Sequence, residues 1–490
     1  MRRILIVAGV VVAVLVLFAG AVWIKMHASD PEVLVANLRR AEGEEAEDAL
    51  RAINLARGDV VTPLTKAFQD ETASGEFRLK VLDVLFKRYH REPDPELEEV
   101  LKQARTDPLP EIRRRAVYNW ILFGESEHQV ELLDRLDDED LVVREHIYRM
   151  LNDRRRGRWL WRRISEEQHA AVLEDAQRDM DAQNETVAFL ARGVIGREVA
   201  DRADDASQAL QSGDPVQAEE LLTEALTLDP DSHYARIRRV RYLLATGRRE
   251  QALEAADEYG ALVRVPRLST APIADGDPTD AVWDEAWTTE KTYKNTSQWV
   301  AQPADGRSRI AIGHRDNTVY IAVWGYEKDL SKLSIKHMQP DGPVHRDDCV
   351  EIVFDPDNTE RNVYKFNINA AGVLADRYDR GRRGQDEDFL CEHVAKMFPD
   401  RGYWALEFAL PVSELHDRTL TSESLWGILV LRTRIGPASE SGSIWPTYGN
   451  NLNYHLYPLA VFEDAPAPEP PAEAEPADEA ETQPAPAAEE

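Results

Sequence analysis

The chain has 490 residues, a hydrophobic content of 43% and a formal net charge of −30 at pH 7. This length accommodates about two to four domains with sizeable cores. The negative charge argues against a nucleic-acid-binding protein, because it would repel phosphates. Two cysteines, Cys349 and Cys391, cannot build a disulfide framework or a structural zinc site, and they leave open whether one bridge forms between them.

An uninterrupted apolar run, residues 4–24, follows Arg2 and Arg3 and precedes Lys25. At about 1.5 Å per residue it spans about 30 Å, the thickness of the hydrocarbon core of a membrane. A cleaved signal peptide is the alternative, because small residues near the end of the run resemble a cleavage site. The run is longer than a usual signal-peptide core, so the sequence predicts an uncleaved signal anchor in residues 1–29. We therefore expect a single-pass protein of a bacterial-type inner membrane, with most of the chain extracytoplasmic.

Residues 30–165 show short amphipathic helical patterns separated by charged residues. Asp107–Gly124 and Asp138–Leu151 align at an offset of 31, and Phe77–Phe86 is a weaker copy. The recurring Asp, apolar and Arg positions resemble HEAT-type repeats, in which Asp ends one loop and Arg begins the second helix. Helix pairs of this kind bury their apolar stripes on one another.

A second repeat type occupies residues 166–265. Gly213 and Gly247 are 34 residues apart, as are Ala218 and Ala252. This period resembles that of tetratricopeptide repeats. The resemblance implies that the helices bind a protein segment or act as a spacer.

After a linker the pattern changes to an alternation of period two. In HRDDCVEIVFD, residues 345–355, Glu351 lies in the middle of a predicted strand, where a ligand-facing carboxylate costs less than a core-facing one. The next predicted strand, YKFNINAAG, places Asn367 and Asn369 on one face. A carboxylate and two amides on neighbouring strands form a hydrogen-bonding patch of the kind that recognises sugar hydroxyls.

Six segments in residues 270–462 resemble, in order, those of family 9 carbohydrate-binding modules, within the larger group of DOMON-like β-sandwiches. The resemblance implies an all-β sandwich that binds carbohydrate. The six segments are ADGDPTDAVWDEA, IAIGHRDNTVYIAVWGYEKD, RDDCVEIVFDPDN, YKFNINAAG, GYWALEFALPVSEL and LWGILVLRTRI.

The resemblance also implies individual site residues. The carboxylate of the family corresponds to Glu351, and an Arg-x-Asn pair falls on Asn367 and Asn369, so only its second residue is kept. A clamping tryptophan six residues before the carboxylate is His345 in this chain, and the second clamp falls near Asn453 or Tyr454. An aromatic ring stacks on a sugar while amides bind its hydroxyls. The candidate carbohydrate-binding residues are therefore Glu351, Asn367, Asn369, His345, Trp445, Tyr448, Asn450 and Tyr454.

No GxSxG, HExxH, CxxC or P-loop motif occurs, so the sequence favours a protein that is not an enzyme. Modules of this family commonly accompany glycoside hydrolases, which links the chain to carbohydrate catabolism by association. No cofactor is expected, except that Asp355 and Asp357 are candidate calcium ligands, with a polar hairpin turn as the alternative.

Two other functions stay open. Some DOMON-like relatives bind haem for electron transfer through axial ligands such as Met, His or Lys. His337–Met338 and Lys396–Met397 supply residues of these types. The chain could otherwise be an envelope scaffold whose β domain binds protein.

The last segment, residues 463–490, consists of Pro, Ala and acidic residues and is predicted to be disordered. The sequence as a whole predicts a multidomain chain with an N-terminal transmembrane helix, an all-α region resembling HEAT and tetratricopeptide repeats, and a C-terminal all-β sandwich. The expected function is non-catalytic carbohydrate binding at the extracytoplasmic face, with the helices available to a protein partner.

Overall fold

The protein is seen in a computed structural model that describes residues 30–56, 59–153, 155–294, 303–380, 383–436, 440–444 and 456–466. The chain divides into two compact units, Met1–Arg197 and Glu198–Glu490. The predicted signal anchor at residues 4–24 and the tail from residue 467 onward lie outside the described residues.

Within the described ranges, no helix combines the length and the apolar character needed to cross a membrane. The longest, Glu185–Gln211, has 27 residues, but charged side chains recur along its length. This finding contradicts the transmembrane helix in the predicted fold class and the predicted single-pass inner-membrane location, and both predictions are corrected. The architecture that the structure shows is a helical repeat region followed by a β-sandwich.

Helices form the first unit, and five of those described begin at a residue whose side chain caps the first turn. Asp94, for example, accepts hydrogen bonds from the backbone amides of Glu96 and Leu97, and Pro95 occupies the first helical position. The helices are α1 (Pro31–Arg40), α2 (Gly43–Leu55), α3 (Val61–Gln69), α4 (Gly75–Arg91), α5 (Pro95–Gln103), α6 (Pro110–Phe123), α7 (Ser126–Glu131), α8 (Leu141–Asn152), α9 (Arg156–Trp161), α10 (Glu166–Asp179) and α11 (Glu185–Gln211).

Buried Arg–Asp pairs connect successive repeats of this unit. In the middle pair, Arg113 and Asp138 have side chains that are 7% and 1% exposed. Each arginine reaches an aspartate in the following repeat, 25 to 35 residues further along the chain. The recurring Asp and Arg positions of the sequence are therefore the positions that join neighbouring repeats. The three pairs are Arg78 with Asp107, Arg113 with Asp138, and Arg144 with Asp179.

The second unit begins with the end of α11 and continues with α12 (Pro215–Leu228), α13 (His233–Ala245) and α14 (Arg249–Glu258). Ala218 and Ala252 are fully buried where these helices touch. Gly213 and Gly247 follow helix ends with φ of 88° and 76°, a conformation that favours glycine. The 34-residue spacing in the sequence thus reflects helix contacts and helix termini.

Two sheets packed face to face form the rest of the second unit. The first sheet has the order β1-β14-β12-β6-β7-β8-β9, with β13 pairing β12 and β3, and the second has the order β10-β11-β5-β4-β2. The strands are β1 (Leu262–Val265), β2 (Trp287–Thr289), β3 (Thr292–Lys294), β4 (Ser308–Arg315), β5 (Thr318–Tyr326), β6 (Cys349–Asp355), β7 (Asn362–Asn369), β8 (Leu374–Arg380), β9 (Arg383–Asp386), β10 (Glu392–Phe398), β11 (Tyr403–Pro411), β12 (Leu425–Arg434), β13 (Glu440–Ile444) and β14 (Leu459–Phe462).

Aromatic and β-branched side chains fill the space between the sheets. Phe366 of the first sheet meets Phe408 of the second at a ring-centroid distance of 5.1 Å. Trp404 and Trp426 are buried in this core. Cys349 and Cys391 are free thiols in this structure.

Candidate functional site

The candidate site lies on the outer face of the first sheet, the face turned away from the second sheet. On β6, Ile352 points into the sandwich core and pairs with Phe366, whereas Glu351 lies on the opposite face. The register places Glu351 between Asn367 of β7 and Leu431 of β12. Glu351 is only 7% exposed, so it is a buried carboxylate on the outer face of the sheet.

Asn367 is the candidate whose geometry suits ligand binding most directly. It is half-buried beside Glu351, and within the described part of the chain its Oδ1 is buried without a hydrogen-bond partner. A buried polar atom left unpaired costs about 1–3 kcal/mol, so a donor that reaches this oxygen gains a favourable bond. A sugar hydroxyl is such a donor.

Three charged residues that the sequence analysis did not identify lie on the same face. Lys365 pairs in register with Arg377 of β8, and Asp379 lies two residues further along that strand. The carboxylate of Asp379 forms ion pairs with Lys365 Nζ at 2.9 Å and with Arg377 Nε at 3.1 Å. Lys365 is almost fully buried, while the side chain of Arg377 is 45% exposed. The period-two alternation of LADRYDR was the signal that could have placed Arg377 and Asp379 on one face.

Asn369 shares this face but has a structural role in the protein. Its amide donates to the carbonyl of His337 at 2.9 Å and to the carboxylate of Asp347 at 3.1 Å. Its side-chain oxygen accepts from the backbone amides of Ala371 and Val373 at 3.1 and 3.0 Å. Both donors and both acceptor positions of the side chain are occupied, which leaves no capacity for a ligand.

The two acids before β6 hold the surrounding loops. Asp347 accepts hydrogen bonds from the backbone amides of Lys336 and His337 at 3.0 and 2.9 Å. Burial by itself raises the pKa of Asp347, but these amides outweigh it and lower the pKa below its usual value. Asp348 accepts from the backbone amides of Ser334 and Gly436 at 2.6 and 2.9 Å. These carboxylates fix the segment that leads into the site.

His345 lies in a short turn just before Asp347 and is exposed. Desolvation lowers the pKa of its imidazole, and the positive charges of Arg346 and Arg377 lower it further. The imidazole is therefore neutral at pH 7. The other four candidates, Trp445, Tyr448, Asn450 and Tyr454, lie outside the described residues.

The predicted calcium ligands serve a turn. Asp355 is fully buried and accepts from the backbone amides of Thr359 and Glu360 at 3.0 and 2.8 Å. Asp357 forms a bidentate ion pair with the guanidinium of Arg418, at 2.6 and 2.5 Å. These contacts correspond to the polar hairpin turn between β6 and β7. Elsewhere, Asp341, Asp376 and Asp388 bring carboxylate oxygens within 4.8 Å of one another, an arrangement that suits a hard cation.

Comparison with known proteins adds two similarities. Residues 209–270 match the tetratricopeptide repeat family. A Bacteroides uniformis protein named as a candidate carbohydrate-binding protein is 14% identical, with a TM-score of 0.33 over 41% of this chain and 99% of that one. A family 9 carbohydrate-binding module from Caldicellulosiruptor kristjanssonii, in complex with cellotriose, is 14% identical, with a TM-score of 0.31 over 43% and 100%. The same kind of module in complex with glucose is 13% identical, with the same TM-score and coverage.

No curated protein matches the chain. The resemblance to tetratricopeptide repeats is nevertheless confirmed by the family match. The helices before the sandwich are similar to tetratricopeptide repeats, and the C-terminal region is similar to family 9 carbohydrate-binding modules.

Proposed function

We propose that the β-sandwich binds a carbohydrate, without catalysis, on the outer face of its first sheet. The observation that carries the proposal is the register pair of Glu351 and Asn367, in which Asn367 has a buried side-chain oxygen that lacks a partner among the described residues. A carboxylate accepts hydrogen bonds from hydroxyls, and an amide both donates and accepts. Arg377 adds a half-exposed guanidinium on the same face.

The charges on this face favour a neutral ligand. The positive charges of Lys365 and Arg377 are balanced by the negative charges of Glu351 and Asp379, and His345 is neutral at pH 7. A charged ligand would disturb this balance in a desolvated place, where unpaired charge is costly. A neutral sugar exchanges hydrogen bonds with water for hydrogen bonds with the protein and adds no charge.

The affinity should be weak. Each neutral hydrogen bond contributes about 0.5–1.5 kcal/mol net, and a bond to a charged group about 1.5–3 kcal/mol. Two or three such bonds without a complete aromatic clamp give a Kd of about 0.1–1 mM. We include a link to carbohydrate catabolism in the same proposal, because a protein that binds neutral sugars weakly would act where carbohydrates are broken down.

The haem alternative gains no support from the geometry of its candidate ligands. Met338 and Met397 are exposed, at 62% and 40%, and His337 Nδ1 already lies 3.0 Å from Asp347. The scaffold alternative predicts a β domain that binds no sugar, so the same experiment tests it.

The test is calorimetric titration of the full chain with neutral mono- and oligosaccharides. Glu351→Gln should weaken binding about tenfold, because removing the charge from one bonded acceptor costs about 1.4 kcal/mol. Glu392→Gln, an exposed position on β10 of the other sheet, is the control and should bind like the parent. Equal binding by the two variants, or no binding of any neutral sugar by the parent, would overturn the proposal.

A further inference from the structure

Within the second unit, the helices before the sandwich pack on the same outer sheet face that carries the candidate site, but at the other end of the strands. Leu425 and Leu459 of the first sheet share a hydrophobic cluster with Leu222 and Leu243 of the helices. Gly427 of β12 pairs with Asp355, four residues from Glu351 along β6, or about 13 Å. A Cβ on Gly427 would lie 3.5 Å from the guanidinium of Arg241, so helix α13 is close to the sheet at this point.

Arg241 is the central polar residue of this contact. It is 9% exposed, and its guanidinium donates to the carbonyl of Tyr457 at 3.2 Å and to the side-chain oxygen of Asn358. Glu360 lies 3.9 Å away and provides a nearby negative charge. A buried arginine is costly unless its donors are paired, so these acceptors are what makes the burial tolerable.

Two of these groups, the side chains of Asn358 and Glu360, belong to the turn that joins β6 and β7, the two strands that carry Glu351 and Asn367. Asn358 accepts from Arg241 and donates its own amide to the carbonyl of Leu425, so it connects the helix to β12 as well. Asn358 adopts a positive φ of 50°, as residues in tight turns do, and this turn holds its side chain between Arg241 and Leu425. Helix α13 therefore contacts the turn of the very hairpin on which the candidate site is built.

The backbone also joins the helices to the sandwich. Strand β1 begins at Leu262, only a few residues after the end of α14 at Glu258, and pairs in parallel with β14 through Leu262 and Leu459. The chain thus passes from the repeat helices directly into an edge strand of the first sheet. A spacer on a flexible linker would have no such continuity.

We propose that α13 is a docking element for the sandwich of its own chain, and that residues 198–466 act as one module in which the repeat helices fix the β6–β7 hairpin. Most of α13 is buried by α12, α14 and the sheet, including Tyr234, Ile237, Val240, Arg241 and Leu243. A separate protein partner therefore has access only to other surfaces of the repeats. The sequence pattern suggests that the repeat helices bind a separate protein segment. In this proposal the partner of α13 is the β-sandwich of the same chain.

The experiment cleaves the full chain after β1, so that the repeat helices and β1 lie on one fragment and the remaining strands of the sandwich lie on the other. A protease site is inserted between Thr270 and Ala271, which are both exposed. After cleavage we expect fragments 1–270 and 271–490 to co-elute in size-exclusion chromatography at micromolar concentration. Arg241→Ala should weaken their association at least tenfold, and Asn358→Ala, on the other fragment, should do the same.

The matched control is Arg248→Ala. Arg248 lies in the same repeat, but its described partners, Glu219, Tyr242 and Thr246, all belong to the repeat region and none to the sandwich, so its removal should leave the association unchanged. Circular dichroism of each variant before cleavage checks that it is folded. Separation of folded parent fragments, or association of both interface variants as tight as that of the control, would overturn the proposal.

Discussion

The side-chain amide of Asn369 donates a hydrogen bond of 3.1 Å to the buried carboxylate of Asp347. Asp347 also accepts from the backbone amides of Lys336 and His337, so the two side chains join the end of β7 to the loop before β6. This relationship makes Asn369 a part of the frame that shapes the site. Its neighbour on the same face, Asn367, keeps a side-chain oxygen with no partner among the described residues.

Replacing either asparagine by alanine should therefore have opposite consequences. Asn369→Ala leaves the backbone amides of Ala371 and Val373 and the carboxylate of Asp347 with fewer partners, and should cost about 2–4 kcal/mol of unfolding free energy. Asn367→Ala should cost less than about 1 kcal/mol but weaken sugar binding several-fold. Denaturant unfolding and calorimetry of the full chain measure the two effects. Loss of stability in Asn367→Ala and loss of affinity alone in Asn369→Ala would reverse the assignment.

The strands of the sandwich could be predicted from the sequence because their signal is local. Alternation of period two placed Ile352 and Glu351 on opposite faces of β6, and the structure has the same arrangement. The repeat helices were also predictable, because the spacing of Gly213 and Gly247 reflects helix ends. The helical repeat region and the sandwich therefore follow from short-range patterns.

The role of each polar residue could not be predicted, because it depends on contacts between distant parts of the chain. The side-chain amide of Asn369 donates to the backbone carbonyl of His337, which lies 32 residues earlier in the chain. Arg241 meets a turn 117 residues further along, at Asn358, which no periodicity indicates. Arg377 joins the candidate site only through the register of β7 and β8. One face of β7 thus holds Asn369, whose side chain is used in structural hydrogen bonds, and Asn367, whose side-chain oxygen can accept a hydrogen bond from a ligand.

Arg377 should contribute to sugar affinity without supporting the fold. Its side chain is 45% exposed, so its ion pair with Asp379 is partly screened by solvent and contributes little to stability. Arg377→Gln should weaken carbohydrate binding about threefold to tenfold and change the unfolding free energy by less than about 1 kcal/mol. Calorimetry and denaturant unfolding measure both quantities. Arg380→Gln, an exposed position three residues along β8, should change neither, and an equal loss of affinity in the two variants would exclude Arg377 from the site.

The Arg–Asp pairs of the helical repeats allow a sharp comparison within one helix. Arg113→Ala leaves the buried carboxylate of Asp138 with fewer partners, and the expected cost is about 3–5 kcal/mol. Arg115→Ala removes an exposed pair with Asp83, whose side chains are 44% and 32% exposed, and should cost less than about 1 kcal/mol. Denaturant unfolding followed by tryptophan fluorescence measures both. Similar costs for the two variants would mean that burial does not decide the strength of these pairs.

Acid should weaken the helical repeats through Glu98. Its carboxylate lies 2.8 Å from Lys102 Nζ, 2.8 Å from the Tyr89 hydroxyl and 3.0 Å from His128 Nε2. Lys102 first, then Tyr89 and His128, lower the pKa of Glu98 from 4.5 to about 2. The unfolded chain therefore takes up the proton at a higher pH than the folded chain, so the stabilisation is complete above pH 4.5 and disappears as the pH falls towards 2. Because the side chain is 27% exposed, solvent screening reduces the contribution to about 1–2 kcal/mol.

The measurement is the unfolding free energy of the parent and of Glu98→Gln at pH values from 7 down to 3. The parent should be more stable by about 1–2 kcal/mol at pH 7, and the difference should shrink steadily below pH 4.5, because protonation removes the charge that the variant already lacks. Glu96→Gln is the control, since Glu96 is an exposed residue in the first turn of the same helix, and it should change the unfolding free energy at pH 7 by less than about 0.5 kcal/mol. A difference between parent and Glu98→Gln that stays constant from pH 7 to pH 3 would show that the lowered pKa does not stabilise the repeats.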